Sequence, residues 1–198
     1  QLLEEKNALD FSTIQIETLN LLKKNPKVSE KIKDQIKYIM VDEYQDTNTI
    51  QELLIRELLN EDENICVVGD DDQGLYRFRG ASIRNILEFK NLFPPNKCKE
   101  IKLETNYRSH PDIVKFFSKW MEDQSWEIDG KSFRFEKHIH AQNAEFIKIP
   151  TTLKVAAETG DSWPDEVKKF LLNLRESGKL TNWNQVAFLF RSVKSDQA

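Results

Sequence analysis

The stretch Ile65-Cys66-Val67-Val68-Gly69-Asp70-Asp71-Asp72-Gln73-Gly74-Leu75-Tyr76-Arg77-Phe78-Arg79-Gly80 joins three kinds of sequence. Four apolar residues, Ile65 to Val68, have the length and composition of a short buried strand. A glycine and three carboxylates follow at once, then Gln73, then aromatics alternating with arginines. A strand ending in glycine and acids reads as the carboxyl edge of an open α/β sheet, where ligands bind. Arginine interleaved with Tyr76 and Phe78 suits a single-stranded nucleic acid, with cations for phosphates and flat faces for bases. The plain alternative is an acidic turn followed by a surface helix.

Upstream, Ile36 to Val41 repeats the pattern: an apolar run that closes on Asp42-Glu43. Asn48 with Gln51 three residues on predicts a capping box. The helix it opens runs through Leu59, with Ile50, Leu53, Leu54 and Leu58 on one face. Before this strand, helical spacing over 1–24 stops at Asn25-Pro26, and lysine-rich residues 27–37 read as a solvated helix face.

Downstream, Ser82 is placed to cap a helix carrying Ile83, Ile86 and Leu87, stopped by Pro94-Pro95. Ile101 to Leu103 reads as a third strand. Ser109 with Asp112 reads as a second capping box, opening a helix over Pro111–Met121. Residues 122–145 read as a long connection with at most a short strand. Phe146–Ile149 reads as a weak strand, a helix starts at 161–165 and ends at Gly178, and Gln185–Phe190 reads as a last strand. Strands alternating with helices predict an α/β fold with a mostly parallel sheet.

The chain has 198 residues, 31% charged and 39% hydrophobic, as in a soluble globular protein. No apolar run reaches the ~20 residues that span a membrane. With no signal peptide, the expected compartment is the cytoplasm. The start at Gln1 reads as a piece of something longer. A net charge of −4 argues against a simple basic DNA-binding module but leaves room for a local basic groove. Cys66 and Cys98 lack metal spacing and read as free, buried thiols.

Three motifs carry chemistry. Ile39-Met40-Val41-Asp42-Glu43 has the Walker B arrangement, in which the aspartate holds Mg²⁺ and the glutamate orients or deprotonates the attacking water. Gln73, just past a strand end, can hydrogen-bond a γ-phosphate. The three acids before it would repel one another without a cation or donors nearby. In Asn106-Tyr107-Arg108-Ser109, the arginine can meet phosphate charge and the tyrosine can stack on a purine. The plain alternative there is a strand-to-helix corner with Arg108 paired to a carboxylate.

Val-Asp-Glu-Tyr-Gln-Asp-Thr-Asn (41–48), Gly-Asp-Asp-Asp-Gln-Gly-Leu-Tyr-Arg-Phe-Arg-Gly-Ala (69–81) and Leu-Glu-Thr-Asn-Tyr-Arg-Ser (103–109) together resemble motifs II, III and IV of the UvrD/Rep/PcrA-like superfamily 1 DNA helicases. Ala8-Leu9-Asp10-Phe11 resembles a segment that these proteins carry upstream, and Val186–Ser192 resembles a strand early in their second RecA-like domain. The resemblance implies Asp42 as the Mg²⁺ ligand, Glu43 as catalytic base and Gln73 as γ-phosphate sensor. It implies Tyr107 stacked on the adenine of ATP, Arg108 reaching the γ-phosphate, and Tyr76, Phe78 and Arg79 on single-stranded DNA. Phe78 stands where the family often has tryptophan, so a smaller stacking face is expected. Gly74-Leu75 and Arg77 also depart from the usual pattern.

The implied fold is RecA-like and incomplete, running into the start of a second RecA-like domain. Residues 1–35 would end an inserted helical subdomain, 36–104 would be the back half of the first RecA-like domain, and 105–198 the beginning of the second. Gly130-Lys131-Ser132 lacks the glycine and the preceding strand of a P-loop and reads as connection sequence. The expectation is thus part of an ATP-dependent helicase or translocase of 3′-to-5′ polarity, acting on single strands and duplex junctions and inactive as an isolated chain. The alternatives are a helicase–nuclease of the AddA/RecB kind and a helicase-like module without catalysis.

Overall fold

A computed structural model describes residues 8–142 and 163–189. The chain forms two compact units, Gln1–Asn143 and Ala144–Ala198. The first is mixed α/β. Helix α1 (Phe11–Lys24) is capped by Asp10, whose side chain accepts the Thr13 N–H. Asn25 ends it, and Pro26 occupies the first turn of α2 (Pro26–Lys33), where its missing N–H costs nothing. Strand β1 (Ile39–Val41) follows, then helix α3 (Thr49–Leu58) with the expected Asn48/Gln51 capping box.

Strand β2 (Ile65–Val67) pairs parallel to β1, with Val41 opposite Val67. Both strands therefore end at the same level, which brings Asp42-Glu43 and Gly69-Asp70 out side by side. The pairing extends past both ends: Val68 N donates to Val41 O at 2.8 Å and Tyr44 N to Val68 O at 2.9 Å. α1 packs on α3, leaving Leu19 and Leu22 buried.

The strands are not buried throughout. Met40 is 83% exposed, and Cys66 is exposed as well, so that thiol is free but not buried. The reason is the width of the sheet, which has two strands among the described residues and leaves a face uncovered.

Several boundaries differ from the sequence expectation. The helix after Ser82 is one turn, α4 (Arg84–Leu87), followed by a 3₁₀ segment (Phe89–Leu92). Ser82 does not cap it. Its N–H donates instead to Thr47 O at 3.0 Å, so the residue serves the contact between segments. Ile101–Leu103 forms no strand among the described residues, and Leu103 is 82% exposed. Pairing begins two residues later, where β3 (Thr105–Asn106) lies parallel to β6 (His140–Ala141). Helix α5 (Pro111–Glu122) is capped by His110, whose Nδ1 accepts the Asp112 N–H, and not by Ser109. The Ser109 N–H is already taken by Asn106 Oδ1 at 2.8 Å.

Residues 122–142 are more ordered than a plain connection. Strands β4 (Glu127–Ile128) and β5 (Lys131–Ser132) form an antiparallel hairpin. Asp129 and Gly130 both take positive φ, 53° and 72°, as a two-residue hairpin turn of the Asp-Gly type requires. Gly130-Lys131-Ser132 is therefore turn and strand.

In the second unit, α6 (Trp163–Glu176) ends near Gly178 at φ 72°, with Lys179 and Leu180 N–H groups returning to Leu174 O. Trp183–Gln185 is a 3₁₀ turn and 186–189 has no strand pairing among the described residues. The expected strand at Phe146–Ile149, the helix start at 161–162, and residues 190–192 lie outside the described residues, as do residues 1–7 of the first predicted helix. No described helix is long and apolar enough to cross a membrane.

Candidate functional site

The site grows from the paired ends of β1 and β2. Past Val41, Asp42 Oδ1 accepts the Glu43 N–H at 2.9 Å. Glu43 itself sits in the left-handed region, φ 50° and ψ 42°. That conformation costs a non-glycine residue of order 1–3 kcal/mol and clusters at functional positions. The chain then makes a 3₁₀ turn, Tyr44–Asp46, which buries Tyr44 and Gln45 almost completely.

Gln45 links the two strand ends. Its Nε2 donates to Glu43 Oε2 at 2.6 Å, and its Oε1 accepts the Asp70 N–H at 3.0 Å. Asp70 Oδ2 in turn accepts from Gln73 Nε2 at 2.7 Å. A continuous path thus joins Glu43 to Gln73. One N–H of the Gln73 amide remains for another acceptor. Gly69 makes the approach possible: a Cβ there would lie 2.5 Å from Gln45 Oε1 and 2.7 Å from Ile86 Cδ1.

The three consecutive acids do have their cations. Lys137 Nζ contacts Asp70 Oδ1, Asp71 Oδ1 at 2.6 Å and Asp72 Oδ2 at 3.1 Å. Arg134 grips Asp72 with both Nε, 2.8 Å, and Nη2, 3.1 Å, and the Phe135 N–H donates to Asp71 Oδ2 at 2.9 Å. Burial pushes the Asp70 carboxyl up, but hydrogen bonds from Lys137 and Gln73 outweigh it and hold it below the usual range. Burial likewise disfavours the Lys137 ammonium, and its bonds to Asp70 and Asp71 more than restore it, leaving its pKa raised.

Beyond Gln73, Tyr76–Arg79 is a 3₁₀ turn ending at Gly80, φ 87°. Its aromatics face outward, Phe78 being 78% exposed. The Arg79 guanidinium lies 5.0 Å from the Tyr76 ring centre and 5.5 Å from that of Phe78. Asn85, buried, donates to Thr47 O and Thr47 Oγ1, both at 3.1 Å, and fixes the helix after this turn against the first motif.

Tyr107 and Arg108 are also exposed, Tyr107 by 69%. Asn106 Oδ1 accepts the Arg108 and Ser109 N–H groups and so shapes their corner. No carboxylate pairs with Arg108 among the described residues. Asp42, Glu43 and Gln73 are therefore drawn together by hydrogen bonds, whereas Tyr107 and Arg108 share no contact with them there. Sequence reasoning assigned no role to Gln45, Arg134 or Lys137. The unbalanced charge of Asp70–Asp72 was the available signal for the last two.

Residues 1–94 match the UvrD/REP helicase N-terminal domain. The chain belongs to the UvrD/PcrA-like helicase family. It is 36% identical over 190 residues to the ATP-dependent DNA helicase PcrA of Staphylococcus epidermidis, which covers 96% of this chain and 24% of that protein. The PcrA of Bacillus subtilis is 40% identical over 145 residues, 73% of this chain and 18% of the relative. That of Staphylococcus aureus is 45% identical over 112 residues, 57% and 15% respectively. The chain thus spans about a quarter or less of the length of these relatives.

The donor set at the end of β1 suits a divalent cation. An open cleft of about 440 Å³ is lined by Asp42, Glu43 and Asp46 with Val41, Thr47, Gln51, Leu54 and Ile55. Asp46 Oδ1 is buried there without a hydrogen-bond partner, and burial together with the charge of Glu43 raises that carboxyl's pKa. Carboxylate oxygens lining a cleft are the donors that a hard cation prefers.

Proposed function

We propose that the chain is the central part of an ATP-dependent DNA helicase that moves 3′ to 5′ along single strands and works at duplex junctions in the cytoplasm. The observation that carries this reading is the hydrogen-bonded path from Glu43 through Gln45 and Asp70 to Gln73. It couples a carboxylate suited to water activation with an amide suited to phosphate, and the amide leads directly into the exposed Tyr76–Arg79 turn. Family membership supports the same reading. Polarity rests on the resemblance alone.

In this reading the fold is RecA-like, with 1–35 closing an inserted helical subdomain, 36–104 in the first RecA-like domain and 105–198 in the second. Asp42 would hold the Mg²⁺ that accompanies ATP, and that ion would supply charge neutralisation at the phosphates. Glu43, fixed by Gln45, orients and deprotonates water. Gln73 donates its remaining N–H to a phosphate oxygen. Tyr107 offers a face to adenine, and Arg108, without a carboxylate partner among the described residues, is available for phosphate charge. Tyr76, Phe78 and Arg79 hold bases and backbone of the single strand.

The 198 residues contain no Gly-x-x-x-x-Gly-Lys-Ser/Thr, so the isolated chain is expected not to turn over ATP. The test is ATP hydrolysis, with and without single-stranded DNA, by the helicase polypeptide that includes this chain. Glu43→Gln should abolish stimulated turnover and leave nucleotide binding intact. Turnover that survives E43Q would overturn the assignment.

A further inference from the structure

We propose that Lys137 is a positioning residue for nucleotide hydrolysis, holding the Asp70–Gln73 turn in the shape that sets both Gln73 and Glu43. The inference rests on the ATPase reading above and adds to it a residue outside the three motifs.

Three carboxylates occur in succession, and their oxygens lie within 4.8 Å of one another. Left alone, such a cluster would spread apart or take up protons. Lys137 brings an ammonium with three N–H donors and contacts all three acids. Arg134 adds a two-pronged grip on Asp72, and the Phe135 N–H takes the second oxygen of Asp71. Two positive charges and a backbone donor thus hold three negative charges. All of these donors come from 134–137, beyond the β4–β5 hairpin and more than sixty residues from the acids.

The functional consequence lies in Asp70. One of its oxygens is held by Lys137 and the other accepts from Gln73 Nε2. Its backbone N–H holds Gln45 Oε1, and Gln45 Nε2 holds Glu43. Lys137 is the cationic end of one path that fixes the Gln73 amide and then the Glu43 carboxylate. Without the ammonium, repulsion among the acids moves Asp70, and both groups lose their bearing. Lys137 touches neither nucleotide-facing group itself, so its loss acts through their bearing and falls mainly on turnover, with one phosphate contact of Gln73 as its part in affinity. Arginine at 137 keeps the charge, but its flat fork cannot serve three acids at once.

The test uses the helicase polypeptide containing this chain and compares wild type, E43Q, Lys137→Met, Lys137→Arg and the double variant Lys137→Met with Asp71→Asn. Misplacement of this kind costs about 10–100-fold in kcat. K137M is expected to lose that much, with KM for ATP changed by no more than about twofold. K137R should be intermediate, and D71N should restore part of the K137M loss by removing one of the repelling charges. If K137M does not fold, K137R at an unchanged melting temperature carries the comparison, and wild-type kcat in it overturns the proposal. A wild type without DNA-stimulated hydrolysis overturns the ATPase reading and this inference together. A wild type that hydrolyses, an E43Q that does not and a K137M with wild-type kcat overturn only the role of Lys137. So does a K137M whose loss lies wholly in KM.

Discussion

Gln45 Oε1 accepts the backbone N–H of Asp70 at 3.0 Å, across twenty-five residues of sequence. The amide is almost fully buried, and its other end holds Glu43. A single side chain thereby ties the first acidic motif to the second.

That contact depends on glycine at 69. Gly69→Ala would place a methyl 2.5 Å from Gln45 Oε1 and 2.7 Å from Ile86 Cδ1. Gln45 is buried and hydrogen-bonded at both ends of its amide, so moving it gives up the Asp70 bond, and the expected cost is about 1–3 kcal/mol, as for other overpacked positions. Urea unfolding of the variant against wild type measures it, and an unchanged midpoint would refute the proposed clash.

Tyr44 is completely buried, and its hydroxyl has no hydrogen-bond partner among the described residues. Burial, with the charge of Glu52 adding to it, pushes its pKa up to about 12. The ring packs edge-on to Phe89 at 5.2 Å. Tyr44→Phe should keep that packing and discard an unsatisfied polar atom, for a change between zero and about 1 kcal/mol in favour of the fold. Tyr44→Ala should cost about 3–5 kcal/mol. Thermal melts of the two variants separate packing from hydroxyl.

Asn85 answers two oxygens of Thr47 from a buried position. Asn85→Ala removes both bonds, although Thr47 O keeps the Ser82 N–H and Thr47 Oγ1 still donates to Tyr44 O, and should destabilise by about 0.5–1.5 kcal/mol. Hydrogen exchange at 44–48 and 82–87 should rise together in this variant. Exchange that rises in only one of the two segments would show that Asn85 does not join them.

The Lys137 clasp has a defined pH response. The folded-state pKa of Asp70 is lowered, so its contribution is present above the usual carboxylate range and is lost as pH falls through the lowered value. The pKa of Lys137 is raised, so its contribution is present below the usual lysine range and is lost as pH climbs through the raised value. The stability gap between wild type and K137M should be flat across neutral pH and close at both extremes. Chemical denaturation across the pH range gives the curve, and a gap that peaks in acid would contradict the pairing.

Phe78 and Arg79 are the proposed contacts for single-stranded DNA. Phe78→Ala should weaken oligonucleotide binding by about 1–3 kcal/mol per stacked base. Arg79→Ala should lower the salt dependence as well, because a phosphate contact goes with it. Fluorescence anisotropy at two salt concentrations distinguishes these effects.

Much of the fold was legible in local chemistry. Asn48 and Gln51 announced their capping box, and Pro26 marked the break between α1 and α2. Strands ending in acids pointed to the parallel pair whose ends carry the site. What could not be read depended on distant partners. Ser109 looks like a cap, but Asn106 had already taken its N–H. Ile101–Leu103 has strand composition, yet pairing starts where His140 and Ala141 supply a neighbour. Arg134 and Lys137 lie in the stretch read as a long connection, where nothing nearby in sequence predicts the acids they meet.

The register of β1 against β2 has one more consequence. A slip of one residue would carry Asp70 about 3.3 Å along the strand, out of reach of Gln45. The misthreaded sheet would then lack the Gln45–Asp70 bond and leave the oxygen of a buried amide unsatisfied. The polar path across the strand ends therefore acts as a proofreader of folding: only the chain that has aligned its two strands correctly can close it.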